Sequence, residues 1–280
     1  MQLSKPKDPA TPYGVPLDLI INLVERTGAK AVAWWNSVYS VLSFLGEAFA
    51  TLAMPATWNR ATLDTIIKQI YFTAVQILHV YLIYVVVISW VIISITLSTA
   101  RNVGLFDAAT EMIIRVLVLE LLPFLTALLI ALRSGSAINT EVALMKVNNE
   151  LDALAHCKVE PMRFEFLPRI AGGVASVLGL TIMGGVLTLL LAYLAIYGLS
   201  ASGLYPFATT IASVFNMKVL LGLTVKCGFF GLAVTALPIA AGLETPKKPF
   251  MVPVSVLRGM MRVFLALVLI EVLSLALKYI

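Results

Sequence analysis

Charge is what this chain has least of. Asp, Glu, Lys and Arg make up 12% of its 280 residues, against about 25% in a soluble domain. A chain so poor in charge cannot cover itself with water-facing side chains, so most of its surface must meet something else. Cysteine is nearly absent. Cys157, in a polar stretch, and Cys227, in an apolar one, cannot build a disulfide framework, and both are expected reduced and unpaired. Histidine is limited to His79 and His156, which excludes a histidine-rich metal site. No metal and no cofactor is expected. Nothing matches a Walker A loop, HExxH, CxxC or GxSxG, so the chain is not expected to be an enzyme by itself. Residues 1–16 are polar and proline-rich with no adjoining apolar run, so no cleavable signal is expected and the mature chain should start at Met1.

What is present is hydrophobic: 60% of the residues, with a mean hydropathy of +0.96. About 20 apolar residues suffice to cross a bilayer, and five stretches qualify. The first has no Asp, Glu, Lys or Arg between Lys68 and Arg101, and its helix is expected to start near Thr62 or Asp64. The second runs from about Asp107 to Leu132 and contains Glu111, Arg115, Glu120 and Pro123. The third spans about Ile170 to Tyr197, the fourth Met217 to Ala241, and the fifth Val254 to Leu277. Gly198, Ser200, Ser202, Gly203 and Pro206 read as a loop between the third and fourth.

Before the first span, residues 1–14 read as a flexible tail. Leu19, Leu23, Arg26 and Lys30 recur at helical spacing, and Trp34, Trp35 and Tyr39 are interface-seeking aromatics. Residues 15–62 are therefore expected to form amphipathic helices lying in the membrane surface, the alternative being a soluble helical cap.

Five crossings put the two ends on opposite sides, and the basic residues indicate which. Fifteen Lys and Arg flank the spans on the side of the N-terminus and of residues 133–169, against Arg101, Lys218 and Lys278 on the other. Basic residues favour the cytoplasm, so the N-terminus and the 133–169 loop are expected there. The net charge of +5 is thus an orienting charge, and no nucleic-acid partner is expected.

Charges inside spans cost a few kcal/mol each unless paired or wetted, and so mark either interhelical ties or a substrate path. Counted from the outer surface at about 1.5 Å per residue, Arg115, Lys226 and Glu271 fall at ~12–14 Å depth and Glu120 at ~20 Å. These depths predict a Lys226–Glu271 pair between antiparallel spans, with Arg115 close by. Arg115, Glu120, Lys226 and Glu271 are the candidate substrate-pocket residues. Ala171, Ala175 and Gly179 form a small-xxx-small stripe expected to serve packing. In the polar loop, Ser136 or Asn139 can cap a helix running through Leu154, with Val147, Leu151 and Leu154 on one side. Such a stripe must be buried by the bilayer or by a partner protein.

Those residues also carry a resemblance. Glu120 through Pro123, Arg133 through Ala137, Glu141, Met145, Lys146, Glu150 through Leu154, Val159 through Pro161, Arg163, Pro168 and Arg169 resemble the signature of the MlaE (YrbE) permease family. Lys68 through Tyr71 is similar to that family's entry into its first span. The dense match covers about fifty residues, and the span layout agrees along most of the chain.

The resemblance implies an all-α, polytopic membrane protein with five transmembrane helices, N-terminal interfacial amphipathic helices and a cytoplasmic coupling helix, residues 63–280 forming the permease domain. It implies a homodimeric subunit in the bacterial inner membrane that moves phospholipids between inner and outer membranes. Cytoplasmic ABC ATPase subunits and a periplasmic MCE-domain protein would be its partners. Arg133, Glu141, Met145, Lys146, Glu150, Leu151, Asp152 and Leu154 would carry ATPase coupling, on a helix from about Glu141 to Leu154. The lipid pocket would lie at the dimer interface, lined by the first, second and fifth spans.

Three departures stand out. Leu119 occupies a place where the family often has arginine, and Arg115, one turn outward, is expected to supply that charge. Glu271 stands where aspartate is common. The first span lacks the family's usual glycines. Two alternatives remain at this stage: an ion- or proton-coupled secondary transporter using the buried charges, against which the absence of an internal repeat counts, and a membrane scaffold recruiting partners through residues 133–169.

Overall fold

The structure, a computed structural model, describes residues 59–279 apart from Leu105, together with Tyr39, Ser43, Phe44, Gly46, Glu47 and Thr51. The chain divides into two compact units, Met1–Ser43 and Phe44–Ile280, and the second carries everything below. The interfacial helices expected before the first span lie almost wholly outside the described residues. Among the described residues there is no strand. Five helical stretches among them are long and apolar enough to cross a membrane: Thr62–Asn102, Ala109–Val147, Met162–Tyr197, Met217–Leu243 and Pro249–Lys278. They are called spans one to five.

Span one starts behind Asn59, whose extended backbone makes it the N-cap, and ends at Gly104. There φ is +74°, a conformation glycine adopts without a Cβ penalty, and the Gly104 N–H donates to the Ala100 and Arg101 carbonyls, closing the helix. Spans one to three are tied by hydroxyls, which compensate for polarity in an apolar bundle. Tyr81, fully buried, donates to the Leu180 carbonyl at 2.8 Å and shares a hydrogen bond of 2.9 Å with Thr126. Ser89 and Thr188 pair at 2.8 Å. Gly184 makes room for Tyr81: a Cβ there would collide with the phenol oxygen.

Span four is the hub, packed against span three, span five and the Ser136–Val147 part of span two. Glycines let the backbones close up, as membrane bundles require. A Cβ on Gly231 would meet Val174, and one on Gly173 would meet the Thr235 methyl. The packing glycines of span three are therefore Gly172, Gly173, Gly184 and Gly185. The expected stripe of Ala171, Ala175 and Gly179 is displaced from this role: Ala175 and Gly179 are exposed, and nothing lies within 4 Å of a Cβ at Gly179. Residues on one helical row cannot pack inward when the neighbouring row of glycines already does.

Two further expectations are corrected. The segment after Tyr197 is not all loop, because Leu204–Val214 is a helix with Phe207 and Val214 buried. Pro206 sits in its first turn, where a missing N–H costs nothing. The amphipathic helix drawn through Leu154 is broken. Span two runs on without interruption through Ser136–Val147, so neither Ser136 nor Asn139 is a cap: Ser136 donates back to the Leu132 carbonyl and Asn139 is fully buried. Asn149, at φ +59°, then turns the chain into a separate short helix, Glu150–His156.

Candidate functional site

Lys226 is a buried cation, 5% exposed in the middle of span four. An ammonium there is tolerable only if carboxylates face it, and two do. Glu120 of span two accepts a hydrogen bond from its Nζ at 2.5 Å, and Glu271 Oε2 of span five lies 2.7 Å away. The latter contact is an ion pair without hydrogen-bond alignment, and Oε2 has no hydrogen-bond partner among the described residues. The second oxygen of Glu120 accepts from Lys278 at 2.6 Å, at the far end of span five. The Phe230 ring lies 5.8 Å from the Lys226 ammonium, adding a cation–π contact. Four charges from three spans thus close one network.

The network opens into a cavity of about 730 Å³ between spans two, four and five, within the size range of small-molecule sites. Its walls are mostly apolar, including Leu223, Phe229, Ile270 and Leu273, and its charged members are Glu120, Lys226, Lys278 and Lys218. An apolar chamber with a few fixed charges suits an amphiphile, with tails on the apolar wall and a polar head at the charges.

Of the residues expected here, Glu120, Lys226 and Glu271 come together, with Lys226 and Glu271 paired as their depths predicted. Glu120, counted as deeper, nevertheless brings its carboxylate to the Lys226 and Lys278 amines. It lies in a stretch, Ile113–Leu121, wound as a wide π-type turn, and depth counted on a regular α-helix fails there. Arg115 is not part of the network. It bonds Glu111 at 2.7 Å, both partly exposed, and lines no wall of the cavity. The reason is local: a glutamate four residues away on the same helix face satisfies the guanidinium before any other span can. The charge that Arg115 was expected to supply beside Glu120 comes instead from Lys278. Its spacing of seven from Glu271, two turns along one face, is the signal that locates it.

At the opposite end of the bundle, the eight coupling candidates fall on two elements. Arg133 donates to the Phe72 carbonyl at 3.1 Å, and Glu141 accepts from Arg169 at 2.9 Å. Met145 and Lys146 are half-buried at the end of span two's continuation. Glu150, Leu151, Asp152 and Leu154 lie on the short helix, which has no buried residue. Two partners escaped sequence reasoning. Arg169 is buried and pairs with both Glu141 and Glu165, and Lys247, in the turn between spans four and five, donates to Asn149 and Asp152 at 2.6 Å each. The Lys247 hydrogen bond, then its charge, holds the exposed Asp152 carboxyl below its ordinary value of 3.8.

Five helices long and apolar enough to cross a membrane, with an ion-paired, mostly apolar cavity between spans two, four and five, define a multi-pass membrane protein. The chain belongs to the MlaE permease family: the family's model, described as Permease MlaE, matches residues 66–277. A probable ABC transporter permease protein of Rickettsia conorii is 25% identical over 235 residues, covering 82% of this chain and 87% of the relative. The intermembrane phospholipid transport system permease protein MlaE of Haemophilus influenzae is 28% identical over 170 residues, 59% of this chain and 62% of that one. A probable ABC transporter permease protein of Porphyra purpurea is 28% identical over 141 residues, 49% of this chain and 51% of the relative. Family membership makes the chain a membrane transport subunit, and it does not favour the ion-coupled carrier or the scaffold.

Proposed function

We propose that the chain is the membrane-spanning subunit of an ABC transporter that moves phospholipids between the inner and outer membranes of a bacterium. The observation that carries this reading is the 730 Å³ apolar chamber with Glu120, Lys226 and Lys278 in its wall and Glu271 behind Lys226. The chamber fits an acyl chain against Leu223, Phe229, Ile270 and Leu273 and a headgroup against the charges. The resemblance in the span-two region and the name of the Haemophilus relative point to the same substrate class.

The subunit would sit in the inner membrane with its N-terminus in the cytoplasm, residues 1–14 a tail and 15–62 interfacial helices. It would work as a homodimer. Span five supports this, since only 11% of its most apolar stretch is buried within the chain. The exposed short helix Glu150–His156 would seat in a separate ATPase subunit, and the chamber's open end would face a periplasmic MCE-domain protein. Lys247 gives the mechanism a lever. It bolts the short helix to the turn between spans four and five, so a push on that helix moves the hairpin that forms two walls of the chamber.

The test is purification of the full chain from its native membrane in mild detergent. Co-purification of an ABC ATPase and about one or more phospholipids per protomer is the expected result. A lipid-free protein lacking any ATPase contradicts the proposal.

A further inference from the structure

The chamber's charges do not cancel. Lys226 is held by Glu120 and Glu271, and Lys278 by the other oxygen of Glu120. Lys218 also lines the chamber, and among the described residues no carboxylate lies in ion-pair contact with it. Among the described residues, three amines against two carboxylates leave one positive charge at the site. Lys218 is also poorly placed for its own helix. It is the second residue of Met217–Leu243, whose first turn contains no acidic residue. An ammonium there opposes the positive end of the helix dipole, so an arriving anion relieves both terms.

The same ledger is unfavourable to a cationic group. Among the described residues Glu120 is the only carboxylate in the chamber lining, and both its oxygens already accept from amines. An ammonium on a headgroup would find no free acceptor of opposite charge among the lining residues. A phosphodiester without an ammonium would meet Lys218 and be left with nothing unpaired.

Resting on the reading of the chamber as the lipid site, we infer that it selects phospholipids with a net negative headgroup over zwitterionic ones, and that Lys218 is the specificity-determining residue. Lys218 sits one residue inside the helix start and is exposed, so it stays hydrated until the headgroup arrives and needs no permanent partner.

The experiment incubates the purified full-length protein, with the subunits that accompany it, with an equimolar mixture of phosphatidylglycerol and phosphatidylethanolamine. Lipids retained after washing are counted by native mass spectrometry. The wild type should hold phosphatidylglycerol in about three- to fivefold excess, the ratio expected for one partly hydrated ion pair. Lys218→Gln should bring that ratio to about one, and Lys218→Arg should restore it. Equal amounts of the two lipids on the wild type, or an undiminished excess on Lys218→Gln, overturn the inference while leaving the chamber a lipid site. Absence of either lipid on the wild type overturns the reading of the chamber as well.

Discussion

Lys226 holds carboxylates from two other helices, and its removal acts on both. Lys226→Ala would leave Glu120 with Lys278 alone and Glu271 without any ionic partner. Breaking a buried pair in this way costs about 3–5 kcal/mol, because the orphaned charge remains. Glu271→Gln is expected to cost less, since Lys226 keeps Glu120. A double-mutant cycle on Lys226 and Glu271, read by thermal unfolding in detergent, should give a coupling energy of about 1–3 kcal/mol. Zero coupling would mean that the 2.7 Å contact contributes nothing.

At this scale the sequence was informative wherever depth could be counted along a regular helix, as for Lys226 and Glu271. It misled where local geometry intervened. Glu111 satisfies Arg115 at a spacing visible in the sequence, whereas the wide turn that repositions Glu120 leaves no mark in residue types.

Among elements, the short helix Glu150–His156 and the turn at Lys247 behave as one part. The Asp152 carboxyl is held below its ordinary value, so the unfolded or detached helix binds the proton more readily than the docked one. The contact to Lys247 therefore contributes fully above about pH 4 and is lost as pH falls through the depressed value. Throughout the physiological range it should stay closed. Lys247→Ala removes both of its hydrogen bonds at an exposed site, so the melting temperature should scarcely change. Phospholipid transfer should nevertheless fall severalfold while ATP hydrolysis by the assembled complex persists, measured side by side in proteoliposomes. Equal losses of both activities would show that Lys247 is not a lever but part of the ATPase seat.

The break at Asn148 and Asn149 leaves no trace in the hydrophobic pattern. Apolar spacing continues smoothly from Val147 to Leu154, and only a positive φ at Asn149, which asparagine tolerates, interrupts it. Periodicity cannot report a break that keeps its phase. The helix Leu204–Val214 was hidden for the opposite reason, since glycine, serine and proline crowd its entrance.

Taken as a whole, the molecule follows its hydropathy. All five spans stand where the uncharged runs lie, because in lipid only a helix satisfies its own backbone. Their contacts were less legible, since many spans contain small residues and only the structure shows which row faces a neighbour. Gly184 faces Tyr81 and Leu122. Gly184→Leu should separate spans one, two and three and destabilise the fold by about 1–3 kcal/mol. Gly179→Leu, on the open face of the same helix, should cost under about 1 kcal/mol by the same thermal measurement.

Gly222 offers the most direct test of the chamber. It lines the wall, and nothing lies within 4 Å of a Cβ built on it, so a large side chain there fills the space without displacing the bundle. The decisive measurement is ATP-driven transfer of a labelled phospholipid by the reconstituted complex carrying Gly222→Trp. Transfer about tenfold or more below wild type, with the melting temperature and ATPase assembly unchanged, is the predicted result. Transfer at the wild-type rate would contradict the claim that lipid passes through this chamber.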